Sequence, residues 1–524
     1  AQLKTKNDAQ LDNDHEAWSR LLALFRLVYG GVRHPALHLP ALGGSLFDPD
    51  RFPFLEGRWK GTSWKTDIAT PLPIDDRTVL FLLDAIQLFK GRSLSYAGLD
   101  VEQIGHVYEG LLEKTVRRVG ATTLQLQHNK NAKDPFVTLE EIKEAAVVGG
   151  SAIADLFAGR SGRQPTTLQT EFNATKDEGL TARLLTTCRG NVELANFLEP
   201  YVKSLEIDTW NYPLVHPKGS FVVGLGQDRR ESGSHYTPRS LTEKIVEETL
   251  SPVAFVGPAE GAPRDEWKLK SSEELLDLKV CDPAMGSGAF LVQVCRWLSD
   301  RLVEAWTKGE ESGQKYDSEG QLLSAGAEET AEILPFSPAD RSVIAKRLIA
   351  EKCLYGVDMN PLAVELAKLS LWLTTLSKGH PFGFLDHNLK CGDSLLGVDD
   401  MAQVVDLSLT PAKEKQERLF GRSIREAVKA STEKRLSLRD IPIRDIRDVE
   451  TMANLDLESR NLVQLPNLLA DALVGIELSE EKNKNRIECI EALAGLADEA
   501  AQGNENIVTD IRRKALEDLA SDAP

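Results

Sequence analysis

Apolar residues recur at three- and four-residue spacing over 16–30 (EAWSRLLALFRLVYG) and 78–90 (TVLFLLDAIQLFK), the pattern of amphipathic helices. Between them, Gly43-Gly44 and several prolines from Pro35 to Pro73 mark loops. Asp100 and Gln103 form the cap of a helix predicted over 101–116 (VEQIGHVYEGLLEKTV), and Thr138 with Glu141 forms a second cap. Residues 122–128 (TTLQLQH) alternate like a short strand. Residues 1–230 therefore read as a mostly helical N-terminal region.

From 231 to 400 the pattern changes. Thr237 sits at an N-cap and Pro238 at the first helical position, where a missing N–H costs nothing. The apolar run LKVC (278–281) is a strand that runs into DPAMGSG, and a strongly apolar helix follows. After a polar insertion from Lys308 to Glu329 come a helix from about Pro338, a strand CLYGVD (353–358), a helix from Pro361 and a strand LKCGD (389–393). This β-α-β-α-β alternation predicts an α/β fold built on a parallel, doubly wound sheet. Beyond Gly397 the alternation stops, and 401–524 reads as a charged helical insertion or spacer. Within it, Lys and Arg outnumber Asp and Glu between 411 and 450.

Composition narrows the class. At 524 residues, with 42% hydrophobic and 27% charged residues, the chain is long enough for several domains of ordinary globular make-up. The longest uncharged apolar stretch, 145–153, is too short for a bilayer, and the polar start lacks the apolar core of a secretory signal. The six cysteines are scattered with no metal-ligand spacing. These features predict a cytoplasmic, reduced protein with no membrane segment and no structural metal. The absence of an initiating Met leaves room for residues upstream. The net charge of −18 restricts any nucleic-acid contact to local patches. Arg422, Arg425 and Lys429 are candidates for one, the alternative being a solvated helix surface paired by its own acids.

The candidate chemistry lies at three strand ends. Asp282-Pro283-Ala284-Met285-Gly286-Ser287-Gly288 joins strand to helix through glycines that let backbone N–H groups approach a polar ligand. Leu291 stands where a dinucleotide fingerprint needs its third glycine, which disfavours a nicotinamide-dependent oxidoreductase. Asp358 ends the second strand, where a carboxylate can accept both hydroxyls of a ribose. Asp393, with Ser394, ends the third and can accept from an exocyclic amine.

Together these segments resemble the cofactor half of S-adenosylmethionine-dependent DNA adenine-N6 methyltransferases. The resemblance rests on HYTP at 235–238, DPAMGSGAFL at 282–291, GVDMNPLAVELAKLSLWL at 356–373 and LKCGDSLLG at 389–397, four motifs in that family's order. VEQIGHVYEGLLE (101–113) further resembles the large restriction-modification and phage-defence enzymes of Type IIG-like, BREX-like and DISARM-like systems. The resemblance implies a Rossmann-like class I methyltransferase sheet, incomplete in this chain, with S-adenosyl-L-methionine as cofactor. Tyr236, Thr237 and Pro238 would border its methionine part. Asp282, Gly286 and Gly288, with Pro283, Ala284 and Ser287 in the same loop, would approach its amino-acid end. Asp358, with Asn360 beside it, would hold the ribose; Asp393 and Ser394 would face the adenine amine; Phe290 and Met359 would wall the adenine.

The family's [ND]-P-P-[YFW] motif, which polarises the target amine and stacks on the flipped base, does not occur after Asp393. No catalytic residue is therefore assigned. The expected function is the cofactor-binding portion of a DNA adenine-N6 methyltransferase, acting on double-stranded DNA with a second polypeptide or segment that carries the catalytic motif and target recognition. The alternative is a non-catalytic scaffold or cofactor-sensing subunit of a defence complex. Under the first reading, the strand ending at Asp282 lacks its sheet neighbour.

Overall fold

The computed structural model describes residues 6–511 and 513 apart from 45, 90–91, 94–113, 130–131, 133, 175–176, 209–210, 226–236, 238, 259, 319, 325–332, 376–380, 382, 411–417, 419, 440, 442, 444–445, 480–482, 502–507 and 512. The chain divides into two compact units, Ala1–Gly105 with His235–Pro524, and His106–Ser234.

The 106–234 unit packs helices against a small antiparallel sheet, ordered Phe136–Thr138, Thr123–Gln125, Val215–His216. Alternation around 122–128 predicts the central strand, and Leu124 is fully buried. The Thr138 cap is found as a reciprocal box in which the Thr138 hydroxyl accepts from the Glu141 N–H and Glu141 accepts from the Thr138 N–H. The helix expected from Asp100 lies outside the described residues as far as 113. Its last residues are instead strand: Lys114–Arg118 pairs antiparallel with Phe221–Leu225. The β-branched Thr115 and Val116 find a partner more than a hundred residues away, which overrides local helical spacing.

In the larger unit, helix Glu16–Gly30 follows the predicted bounds, and the second helix runs Asp76–Gln87. Buried Asp76 joins them by accepting from the Ala17 N–H at 2.8 Å and from Lys6 Nζ at 2.6 Å. Glu56, also buried, is bracketed by Arg26 and Arg58. Two buried carboxylates thus keep cationic partners, as burial of charge requires.

The parallel sheet comprises β1 (Val280–Asp282), β2 (Leu354–Asp358) and β3 (Leu389–Cys391), with β2 central. Its register aligns Asp282 with Gly356 and Asp358 with Cys391. Three helices supply the core: α1 (Ala289–Glu311), α2 (Pro338–Lys352) and α3 (Pro361–Thr375). Leu291, Leu298 and Trp306 of α1 pack with Ile349 of α2 and Ala367, Leu371 and Trp372 of α3. These helices cover the sheet face that carries Leu354 and Gly356. A Cβ on Gly356 would collide with Met285 and Leu291, so only glycine lets α1 and its loop lie this close. On the opposite face, set by strand alternation, Tyr355, Val357 and Lys390 are half-buried and Cys281 is exposed.

The insertion after α1 folds back on this core. Tyr316 and Leu334 are buried in it, and Arg341 clamps Glu310 with two hydrogen bonds of 2.7 and 2.8 Å. Gly320, at φ +72°, lies against Trp306, whose indole N–H donates to the Gly320 carbonyl. Gly320→Ala should therefore destabilise the unit by about 2–4 kcal/mol, through strain at positive φ and displacement of a buried indole. Urea unfolding followed by tryptophan fluorescence measures it.

Beyond Gly397 the described chain is helical, including α4 (Gly421–Arg439) and α5 (Ile446–Leu462), then Gln464–Ser479 and Asn483–Ala501. No single described helix is long and apolar enough to cross a membrane.

Candidate functional site

At the C-terminal end of the sheet, three chain reversals meet. The loop after β1 turns back over β2: the Met285 N–H donates to the Val357 carbonyl at 3.0 Å, and the buried Met285 side chain fills the space above Gly356. Gly286 and Gly288 have φ of +54° and +83°, a conformation that favours glycine. A side chain at Gly288 would also press on Ala367 of α3 at 3.1 Å, whereas a Cβ at Gly286 would meet nothing within 4 Å. One glycine therefore serves helix packing, and the other faces open space at the mouth of the site.

Asp358 ties the reversals together. Its Oδ2 accepts from the Gly286 N–H at 2.9 Å and its Oδ1 from the Asn360 N–H at 2.8 Å. Its backbone carbonyl accepts from the Gly392 N–H at 3.0 Å. Asp358 thus braces the glycine loop, the start of α3 and the turn after β3. A carboxylate has about four acceptor positions, so two remain for hydroxyl groups of a ligand. Asn360 Oδ1 in turn accepts from Leu362 and Ala363, which anchors the start of α3.

Asp282 is half-buried beside Asp358, and its Oδ1 accepts from the Ala284 N–H at 3.0 Å. Burial pushes its carboxyl above the usual carboxylate range; the Ala284 N–H opposes this and the neighbouring Asp358 charge adds to it. The folded chain therefore binds the Asp282 proton more tightly than the unfolded chain. Its contribution to stability grows as pH falls through the raised folded value, and at neutral pH the ionised group is a penalty. Asp282→Asn keeps an acceptor for Ala284 and removes that charge, so thermal unfolding at neutral pH should shift upward by about 1–2 °C. The shift should shrink under acid conditions, which differential scanning calorimetry at several pH values will show.

The third strand end is more open. Asp393 is exposed, and its Oδ1 accepts from Leu395 at 2.7 Å and Leu396 at 3.2 Å, a local turn. Ser394 is exposed, Met359 is 71% exposed and Leu395 93% exposed, so apolar side chains stand at the rim. Phe290 packs against the core, half-buried. Pro283 and Ala284 are exposed and Ser287 half-buried. Thr237 is half-buried just before helix Arg239–Ala254, while Tyr236 and Pro238 lie outside the described residues. The structure brings Asp282, Gly286, Asp358 and Asn360 into one connected set and leaves Asp393 on a neighbouring loop.

Sequence reasoning missed how this site is braced. Leu46 of the N-terminal segment packs against the core, and Arg51 forms an ion pair with Glu365 of α3. Glu365 also accepts from buried Lys368, which reaches Asp386 at 2.6 Å before β3. No local pattern signals a pairing of residues 314 positions apart. Two cations of 411–450 are likewise engaged by acids on later helices, Arg418 with Glu491 and Lys434 with Glu458, while Arg422 pairs with Glu426 on its own helix. Lys390 on β3 is driven down to about 8 by burial, with the Arg460 and Arg435 charges acting in the same sense.

The chain is thus a mixed α/β protein whose three-stranded parallel sheet carries a glycine loop and carboxylates at its strand ends. The chain is 24% identical over 268 residues to a protein of Methanocaldococcus jannaschii named as a candidate type II restriction enzyme and methyltransferase, covering 41% of this chain and 20% of that protein. It is 29% identical over 185 residues to the type II restriction enzyme and methyltransferase RM.Eco57I of Escherichia coli, covering 33% of this chain and 16% of that protein. The chain thus spans about a fifth or less of the length of these curated relatives. No protein-family model matches the chain, and no solved structure matches it.

Proposed function

We propose that this chain is the cofactor-binding portion of a DNA adenine-N6 methyltransferase of a restriction-modification or phage-defence system, with its parallel strands forming part of a Rossmann-like class I methyltransferase sheet. The observation that carries this reading is the clasp of the glycine loop by Asp358 at the C-terminal end of a parallel sheet. The names of the two relatives support it. The residues fit S-adenosylmethionine: open space above Gly286 and Gly392 leaves room for a ligand, and Asp358 keeps acceptor capacity for a ribose. When bound, the cofactor supplies an electrophilic methyl group. Asp358 orients the ribose, the 282–288 loop receives the amino-acid end, and Met359, Phe290 and Asp393 with Ser394 receive the adenine. Polarisation of the target amine falls to a segment carrying [ND]-P-P-[YFW].

Binding selectivity tests the reading. The chain should bind S-adenosylmethionine and S-adenosylhomocysteine saturably and NAD not at all; preference for NAD would overturn it.

The substrate in this reading is double-stranded DNA. Arg422, Arg425 and Lys429 are exposed and spaced to share one side of α4, with Glu426 paired to Arg422 among them. Charge reversal at all three should weaken duplex binding and flatten its salt dependence. Unaltered affinity would assign these residues to a solvated helix surface.

A further inference from the structure

Between Glu16 and Asp48 lies the longest run of this acidic chain without a carboxylate, and it carries Arg20, Arg26 and Arg33. Arg20 pairs with Glu16, and Arg26 is engaged by Glu56. Arg33 belongs to a hairpin in which Val32–His34 pairs with Leu37–Leu39, placing Arg33 opposite His38 and His34 opposite Leu37. Every residue from 33 to 40 is exposed, including Leu37 at 46% and Leu39 at 41%.

The hairpin is held firmly at its root. Gly31, at φ +67°, ends helix Glu16–Gly30, and a Cβ there would meet the Ala41 nitrogen at 2.5 Å and the Leu39 oxygen at 2.8 Å, so the two legs are tightly apposed. The Leu42 and Gly43 N–H groups donate to the Val28 and Tyr29 carbonyls, which clips the return leg to the helix end. At the tip, the Ala36 N–H donates to His34 Nδ1. Pro35 and Pro40 restrict both ends of the outer leg.

Alternation gives the ribbon two unlike faces. One presents Arg33 and His38, and the other Val32, His34, Leu37 and Leu39. A two-stranded ribbon fits the major groove of B-DNA, where cations meet phosphates and apolar groups meet thymine methyls and base edges. In a protein with net charge −18, a projection without carboxylates is a place where DNA phosphates meet little repulsion.

We propose that the Val32–Leu39 hairpin enters a groove of the substrate duplex. This rests on the reading of the chain as part of a DNA methyltransferase. The test is anisotropy of a fluorescent duplex titrated with the full chain at several salt concentrations. Arg33→Glu with His38→Glu should lower affinity about tenfold or more and reduce the slope of log K against log salt by about one. Leu37→Ala should lower affinity with the slope unchanged. All these side chains are exposed, so the thermal midpoint serves as the folding control. If the wild type binds duplex and the variants match it in affinity and slope, the hairpin assignment falls, the ribbon belongs to a protein partner, and the methyltransferase reading stands. Absence of duplex binding by the wild type, with the cofactor still bound, overturns the hairpin assignment while the cofactor-site reading stands.

Discussion

The chain on its own is expected to transfer no methyl group to adenine, and transfer should appear when a polypeptide carrying an [ND]-P-P-[YFW] strand is supplied. The sequence has no such motif after Asp393, and in the family it resembles that motif polarises the flipped adenine amine and stacks on the base. The structure adds a physical reason. Among the described residues β1 pairs only with β2 and forms the sheet edge, with Cys281 exposed, whereas parallel strands are usually enclosed on both sides. That edge is short and flanked by exposed Lys279, which moderates its liability for aggregation. In the family the chain resembles, the catalytic strand pairs with this edge, so assembly and activity should arise together. Methyl transfer from labelled S-adenosylmethionine to duplex DNA, with each component alone and then mixed, measures this. Sustained turnover by this chain alone would show that its catalytic residues lie within it.

Asp358→Ala is expected to weaken S-adenosylmethionine binding roughly 5- to 150-fold, corresponding to about 1–3 kcal/mol for loss of a charged hydrogen-bonding group. The same change leaves the Gly286 and Asn360 N–H groups without their acceptor, so the glycine loop should loosen even without ligand. Asp358→Asn retains one acceptor and should fall between wild type and Asp358→Ala. Calorimetric titration of the three proteins gives the order, and equal affinities would remove Asp358 from the site.

Much of the larger unit was legible because its signals are local. The three parallel strands sit within a few residues of their predicted bounds, and Gly286 and Gly288 lie in the predicted strand-to-helix loop, where the structure shows both at positive φ. The strand-end acid was visible as a motif, but its contact with Gly286, 72 residues away, was not, because only the folded sheet brings the two together. Non-local pairing explains the other gaps. The ribbon joining Lys114–Arg118 to Phe221–Leu225 has no neighbouring turn to announce it. The hairpin at 32–39 is three residues per strand, too short for alternation to stand out among prolines. For the basic tract at 411–450 the sequence leaves a DNA-facing patch and a self-paired surface open, because two of the acids that engage it, Glu458 and Glu491, lie on later helices.

A single cofactor site spanning the ends of the three parallel strands should be visible in hydrogen–deuterium exchange with and without S-adenosylmethionine. Exchange in 282–291, 354–362 and 389–396 should slow when the cofactor is added, with the Gly286 amide most affected and the 114–225 segment unchanged. Unchanged exchange at all three strand ends, or protection confined to another part of the chain, would contradict it.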